Sequence, residues 1–346
     1  MLKLRKIKPG SRVAIIAPSS GAAEAFPGML NLGLKNITHF LDLTPVVFPT
    51  AKMSSHSLYL NPKKRAEDIN AAFADDSIDA IFCTIGGYDS VRILEYLDKD
   101  IILANPKAIM GFSDASTFLT LLNQWGLPTL YGPSVMAGIA QLDYLPDEAL
   151  AHLKTILFKC PVPYAYVPFD EFTHSYKDWA DETALGQLGE MLPNIGPIYM
   201  LSDTPAEGPL WGGCLDVLSP ILNGTSYWPA LSFFDGKILF LETSEDKPTP
   251  MQVGYMVRNL ATQGILNRIS GLLFGRPKDY TQREALQMTD IVLDIFEKEI
   301  ARTDIPVVFN TDFGHTDPKH ILPIGCRLKI EPKEKRLTLM ESPFEG

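Results

Sequence analysis

Long apolar runs are missing from this 346-residue sequence, and no stretch reaches the length needed to cross a bilayer. A basic N-terminus (Lys3, Arg5, Lys6, Lys8) does precede an apolar run, Val13 to Ala17. That run is too short for a signal-peptide core, and Pro9-Gly10 interrupts the approach to it, so a cytoplasmic protein is expected. Cysteine is sparse. Cys83, Cys160, Cys214 and Cys326 lie far apart with no C-x-x-C pair, a spacing that argues for buried free thiols over a disulfide or a zinc ribbon. Basic clusters are lacking as well: 31 Lys and Arg stand against 41 Asp and Glu, a formal charge of −10. A non-specific nucleic-acid binder is thereby excluded, because phosphate neutralisation needs clustered cations. Neither G-x-G-x-x-G nor a P-loop lysine is present, so no nucleotide cofactor is expected.

What is there is an ordinary folded composition, 46% hydrophobic and 21% charged, in a chain long enough for two domains. The first half alternates strand-like and helix-like segments. Strands are predicted at 12–17, 45–48, 80–84, 108–111 and 129–131, and helices at 28–41, 62–73, 90–97 and from 113 to about 125. Asn61-Pro62 is a helix start, with Asn as cap and Pro at the first position. Strands separated by helices imply a mainly parallel sheet covered on both faces, with ligands collecting at the carboxyl ends of its strands. A helical pattern over 147–159 leads into an aromatic, polar stretch read as a linker or mobile flap. The second half carries strands at 237–241, 271–274 and 306–309, helices at 250–262 and 282–298, and a closing hairpin of 326–330 and 336–340. The expected division is an α/β domain over 1–165, the linker or flap over 166–184, and a second domain over 185–346.

Candidate chemistry begins at Gly111-Phe112-Ser113-Asp114-Ala115-Ser116, where a strand turns sharply into a helix. A serine at such a turn stands at the sheet edge, beside helix-start N–H groups able to stabilise an oxyanion. The elbow pattern G-x-S-x-G is only partly matched, and the alternative is that Ser113 caps the helix. Ser116 is the weaker nucleophile candidate. Gly86-Gly87 after the third strand suits a close ligand approach, with the Gly87 N–H as a second oxyanion donor, or a plain turn. Six histidines compete as base. His315 follows a predicted strand on a glycine-containing loop, whereas His320 precedes the apolar Ile321-Leu322 and is expected to pack. A metal set of Asp312, His315, Asp317 and His320 lacks helical spacing and a cysteine partner, so no metal is expected. Glu242 ends an apolar strand, where a carboxylate needs a partner: a histidine it orients, or a strand-end salt bridge. Glu245 and Asp246 read as solvated.

Taken together, these segments resemble the LD-carboxypeptidase family of serine peptidases, which includes the microcin C immunity peptidases. The resemblance rests on Lys8-Pro9-Gly10-Ser11-Arg12-Val13, Ala17-Pro18-Ser19, Gly86-Gly87, Gly111-Phe112-Ser113-Asp114, Leu210-Trp211-Gly212-Gly213-Cys214-Leu215, Gly224-Thr225, Leu241-Glu242 and Gly314-His315. It implies a nucleophile, acid and base at Ser113, Glu242 and His315, and oxyanion donors at the N–H groups of Gly87 and Asp114. It further implies an N-terminal parallel-sheet α/β domain, a C-terminal β-rich α/β domain, an active site in the cleft between them, and a homodimer. Muropeptide-cleaving members typically carry Arg-Gly-Gly-Tyr-Gly at the glycine turn. Ile85-Gly86-Gly87-Tyr88-Asp89 looks more like the microcin-immunity branch; at the position of Cys214 the family often has Asn. In that branch an aromatic resembling Trp179 stacks on a nucleotide base; the alternative is that Trp179 anchors the flap. The implied substrate is a peptidyl- or aminoacyl-nucleotide amide contacting Gly86, Tyr88, Trp179 and Trp211, or alternatively the L,D-amide of a cell-wall tetrapeptide. A rival from another class is a non-catalytic binding protein using the same cleft. No nucleic-acid or membrane partner is expected.

Overall fold

The computed structural model describes residues 1–346. Five short apolar runs pair in parallel: β1 (Arg12–Ile16), β2 (Thr44–Val47), β3 (Ala80–Cys83), β4 (Ala108–Gly111) and β5 (Thr129–Tyr131). Every residue of β3, β4 and β5 is buried, the signature of strands covered on both faces. Helices Pro27–Leu41, Pro62–Ala74 and Ser116–Gln124 carry the chain between strands. β4 and β5 match the sequence reading to the residue.

Two local expectations are corrected. Asn61 precedes Pro62, but its side chain makes no cap and instead donates to the Ser57 carbonyl at 2.8 Å. Residues Ser90–Tyr96 form tight 3₁₀ turns in place of an α-helix. Their first residue is tied to the elbow: the Ser90 N–H donates to the Asp114 carboxylate and its hydroxyl to the Asp114 carbonyl.

The second half begins with short pieces, β6 (Tyr164–Ala165), β7 (Glu171–Phe172) and β8 (Leu192–Pro193), then β9 (Ile198–Met200). β10 (Ala206–Cys214), β11 (Ile238–Glu242), β12 (Gly271–Gly275) and β13 (Val307–Thr311) run parallel as the centre of an eight-stranded sheet. β14 (Leu322–Ile324) leaves that sheet and pairs antiparallel with β5, closing the first sheet in the order β14-β5-β4-β3-β1-β2. β15 (Arg327–Glu331) and β16 (Arg336–Leu339) form the expected hairpin on the flank of β10.

β10 escapes the periodicity reading because Gly208, Gly212 and Gly213 interrupt its apolar pattern. Glycine is required there by proximity: a Cβ on Gly212 would lie 1.8 Å from the Phe240 carbonyl oxygen. Helices Pro250–Thr262 and Gln282–Asp294 both open on complete capping boxes, Thr249 with Gln252 and Thr281 with Glu284. The segment read as a flap is pinned by reciprocal backbone bonds between Thr173 and Asp317. One apolar core runs through both sheets, and no helix is long and apolar enough to cross a membrane.

Candidate functional site

β4 ends at Gly111, Phe112 stays extended, and Ser113 turns to φ +61° before the helix begins. That left-handed conformation costs a non-glycine residue about 1–2 kcal/mol, so the surroundings must enforce it. They do so through the backbone. The Ser113 N–H donates to the Tyr131 hydroxyl at 3.1 Å, and the Ser113 carbonyl accepts from Ser116 Oγ at 2.7 Å. Ser116 Oγ in turn accepts from the Cys214 N–H at 2.9 Å. Ser116 therefore braces the turn against β10 and is not placed as a second nucleophile.

Gly86 faces the turn closely. A Cβ on it would lie 2.9 Å from Ser113 Cβ and 3.0 Å from Oγ. The Gly87 N–H donates to no backbone carbonyl. The Asp114 side chain points inward, fully buried; burial pushes its carboxyl up, opposed by the nearby Ser19 hydroxyl and by the hydrogen bond from the Ser90 N–H.

Across the cleft, β11 ends on Glu242, which has no exposed surface. Its Oε1 accepts from the Tyr131 hydroxyl at 2.5 Å, and its Oε2 sits 2.7 Å from His315 Nδ1. Burial together with the Glu242 charge pushes the Tyr131 phenol well above its ordinary range, so it remains a donor. The approach of the two loops depends on Gly314 at φ +102°, where a Cβ would meet Glu242 Oε2 at 2.6 Å. The His315 ring stands edge-on to Phe112, 5.0 Å between centroids. Burial alone pushes this imidazole down, but Glu242 and then Glu245 reverse that and raise it to about 9.

Glu245 corrects an expectation. Its side chain is 53% exposed, as a solvated residue would be, yet its Oε2 lies 2.8 Å from His315 Nε2. The contact is close but outside hydrogen-bonding alignment. The imidazole beside it holds the Glu245 carboxyl down to about 2. Asp246 is 3.5 Å from the Tyr88 hydroxyl. Ser113 and His315 line the same cavity, of about 340 Å³, but no hydrogen bond joins them.

Gly86, Gly87, Tyr88 and Trp179 also line this cavity. Trp179 is half-buried, with Phe26 edge-on at 5.7 Å and Tyr176 offset-parallel at 6.1 Å. Trp211 does not reach the site. It is 1% exposed and packs edge-on to Trp228 and Phe234 in the core of the second sheet, where its apolar bulk is best satisfied.

Two cations the sequence reading did not single out, Lys278 and Lys319, complete the wall. The Lys319 side chain is 2% exposed, with Nζ 3.3 Å from Asp317 Oδ2 and 4.0 Å above the Phe112 ring. The members of the conceivable metal set are engaged separately: Asp312 with Arg276, Asp317 with Tyr176 and Lys319, and His320 with the Val167 carbonyl. His320 packs, as expected, against Tyr166 and Phe169. Tyr131 and Glu245 were likewise missed as site residues. The available signal was position, since both stand at or just past the carboxyl end of a parallel strand.

Comparison with known proteins identifies the family and agrees with the two-sheet fold. Residues 13–132 match the LD-carboxypeptidase N-terminal domain and residues 207–330 the LD-carboxypeptidase C-terminal domain. An MccF-like protein from Streptococcus pneumoniae, solved in complex with AMP, superposes with a TM-score of 0.85 at 32% identity, over 96% of this chain and 99% of that one. The microcin C7 self-immunity protein MccF of Escherichia coli is 27% identical over 81% of this chain and 78% of its own length. A probable murein peptide carboxypeptidase of Bacillus subtilis (strain 168) is 26% identical over 99% of this chain and 96% of its own.

Proposed function

The chain belongs to the LD-carboxypeptidase family and is a serine peptidase; we propose that it cleaves an amide with Ser113 as nucleophile, His315 as base and Glu242 as orienting acid. The observation that carries this reading is the shared cavity. A strained serine on one sheet and a carboxylate-held imidazole on the other line a single 340 Å³ space. In the reaction, His315 Nε2 takes the Ser113 proton as Oγ attacks the carbonyl carbon. The N–H groups of Gly87 and Asp114 receive the oxyanion. His315 then protonates the leaving amine, and water, activated by the same nitrogen, hydrolyses the acyl-enzyme and restores Ser113. Glu242, fixed by Tyr131, keeps the proton on Nδ1 and balances the imidazolium as it forms.

The proposed substrate is an aminoacyl- or peptidyl-nucleotide amide. Support comes from the microcin-immunity relative, from the AMP bound to the streptococcal protein, and from Trp179 in the cavity wall, where an indole face suits a nucleobase. A second reading, release of the terminal residue from a murein tetrapeptide, is favoured by the Bacillus relative and by Lys278 and Lys319, which suit a terminal carboxylate. The proposal extends to a cytoplasmic location, which cell fractionation checks, and to a homodimer, which native mass spectrometry checks. Turnover of both substrate types, followed by mass spectrometry for wild type beside Ser113→Ala, tests the rest. Ser113→Ala is expected to lose activity by several orders of magnitude while staying folded. Undiminished turnover in that variant rejects the nucleophile, and the substrate that wild type consumes decides between the two readings.

A further inference from the structure

Every group facing the His315 imidazole has a defined place. Glu242, at the end of β11, holds Nδ1 at 2.7 Å. Glu245, three residues on, stands 2.8 Å from Nε2, the nitrogen that must reach Ser113. Asp216, at the start of the segment after β10, is engaged by the Ser244 N–H at 2.6 Å. Lys278, on the loop after β12, and Lys319, on the loop of His315 itself, stand in the same cavity wall. The Glu245 backbone is anchored on both sides, since Ser244 is tied to Asp216 and the Asp246 N–H donates to Ser244 Oγ at 3.2 Å. The side chain, at 53% exposure, is free to turn without moving that loop.

We infer that Glu245 is a positioning residue that faces the catalytic nitrogen of His315 and yields it to Ser113 when substrate enters. The inference rests on the triad reading above. Nε2 faces the Glu245 carboxylate and makes no hydrogen bond to Ser113. A protonated imidazole held there cannot accept the serine proton. A substrate filling the cavity desolvates Glu245 and displaces it toward Lys278, which contributes to holding its carboxyl low. His315 then loses one of its two anionic partners, releases its Nε2 proton to solvent water, and turns the freed lone pair of Nε2 to the Ser113 hydroxyl. Ser113 reactivity is thus coupled to occupancy.

The test compares wild type with Glu245→Gln, which keeps the shape and removes the charge. Two pH profiles are measured: the rate of Ser113 inactivation by a fluorophosphonate probe, and the His315 titration followed by NMR in the unliganded protein. The acid limb and the titration should both move to lower pH in Glu245→Gln, by about one unit or more for an opposite charge removed at this distance. Inactivation below the limb should accelerate about tenfold for each unit of that move. A purely structural glutamate would leave both profiles where they were, so coincident curves in two labelled proteins overturn the role of Glu245 alone. Absence of labelling in wild type at every pH removes the triad reading and this inference with it.

Discussion

At the carboxyl edge of the first sheet, Ser113 is held almost entirely by backbone: a left-handed φ, an N–H to Tyr131, a carbonyl braced by Ser116, and the bare face of Gly86. At the carboxyl edge of the second, His315 is held by charge, with one carboxylate buried at Nδ1 and another half-exposed at Nε2. Tyr131 joins the two, accepting from the elbow N–H and donating to Glu242. The elbow is therefore sensitive to volume, whereas the imidazole is sensitive to charge and pH. A nucleophile needs a fixed position, which sterics supply; a base needs a tuned proton affinity, which here neighbouring charges raise against burial.

The largest effect expected from this contrast is at Glu242. Replacing it with Gln preserves volume and removes the charge, so turnover should fall about 10³–10⁴-fold, by analogy with other triads that lose their acid. A loss under tenfold would mean that charge does not organise this edge. Next is Gly86→Ala, which adds volume with no charge. Its methyl would displace Ser113, and turnover should drop on the order of 100-fold with little change in melting temperature. If instead the protein melts much lower and active-site labelling is normal, the glycine serves folding.

Tyr131→Phe cuts the link between the edges. It leaves a buried carboxylate oxygen without a donor, so urea unfolding should show a loss of about 1–3 kcal/mol; an unchanged midpoint would show the two edges to be independent.

The smallest effect is a pH dependence. The folded His315 sits at about 9, above its ordinary value of 6.5. Its stabilisation is complete below about pH 6.5 and disappears as pH rises through about 9. The stability gap between wild type and His315→Gln should narrow across that window and nowhere below it. A gap that widens with rising pH would invert the sign.

Much of this was legible before any coordinates. The parallel first sheet, the serine turn after β4, the acid ending β11 and the histidine after β13 are local patterns, each written in a few consecutive residues. From the sequence Glu245 reads as solvated, because a charged residue in a polar loop ordinarily is; only the approach of the His315 loop gives it a partner. The family resemblance implies a substrate contact for Trp211, but a large apolar side chain on a central strand goes to the core when other aromatics are there to receive it. β10 hid behind glycines whose necessity comes from β11, a neighbour the local pattern does not contain.

By itself, the amino-acid sequence determined most of the element types and the parallel character of the first sheet, since periodicity and turn residues act over a few positions; it singled out the serine, glutamate and histidine together only through their resemblance to a family. Tertiary structure alone decided which nitrogen of His315 meets which carboxylate, that Tyr131 bridges the edges, and which lysines enter the cavity. Those contacts join residues 18 to more than 100 positions apart, and they exist only once burial has removed water and made each unpaired charge seek a partner.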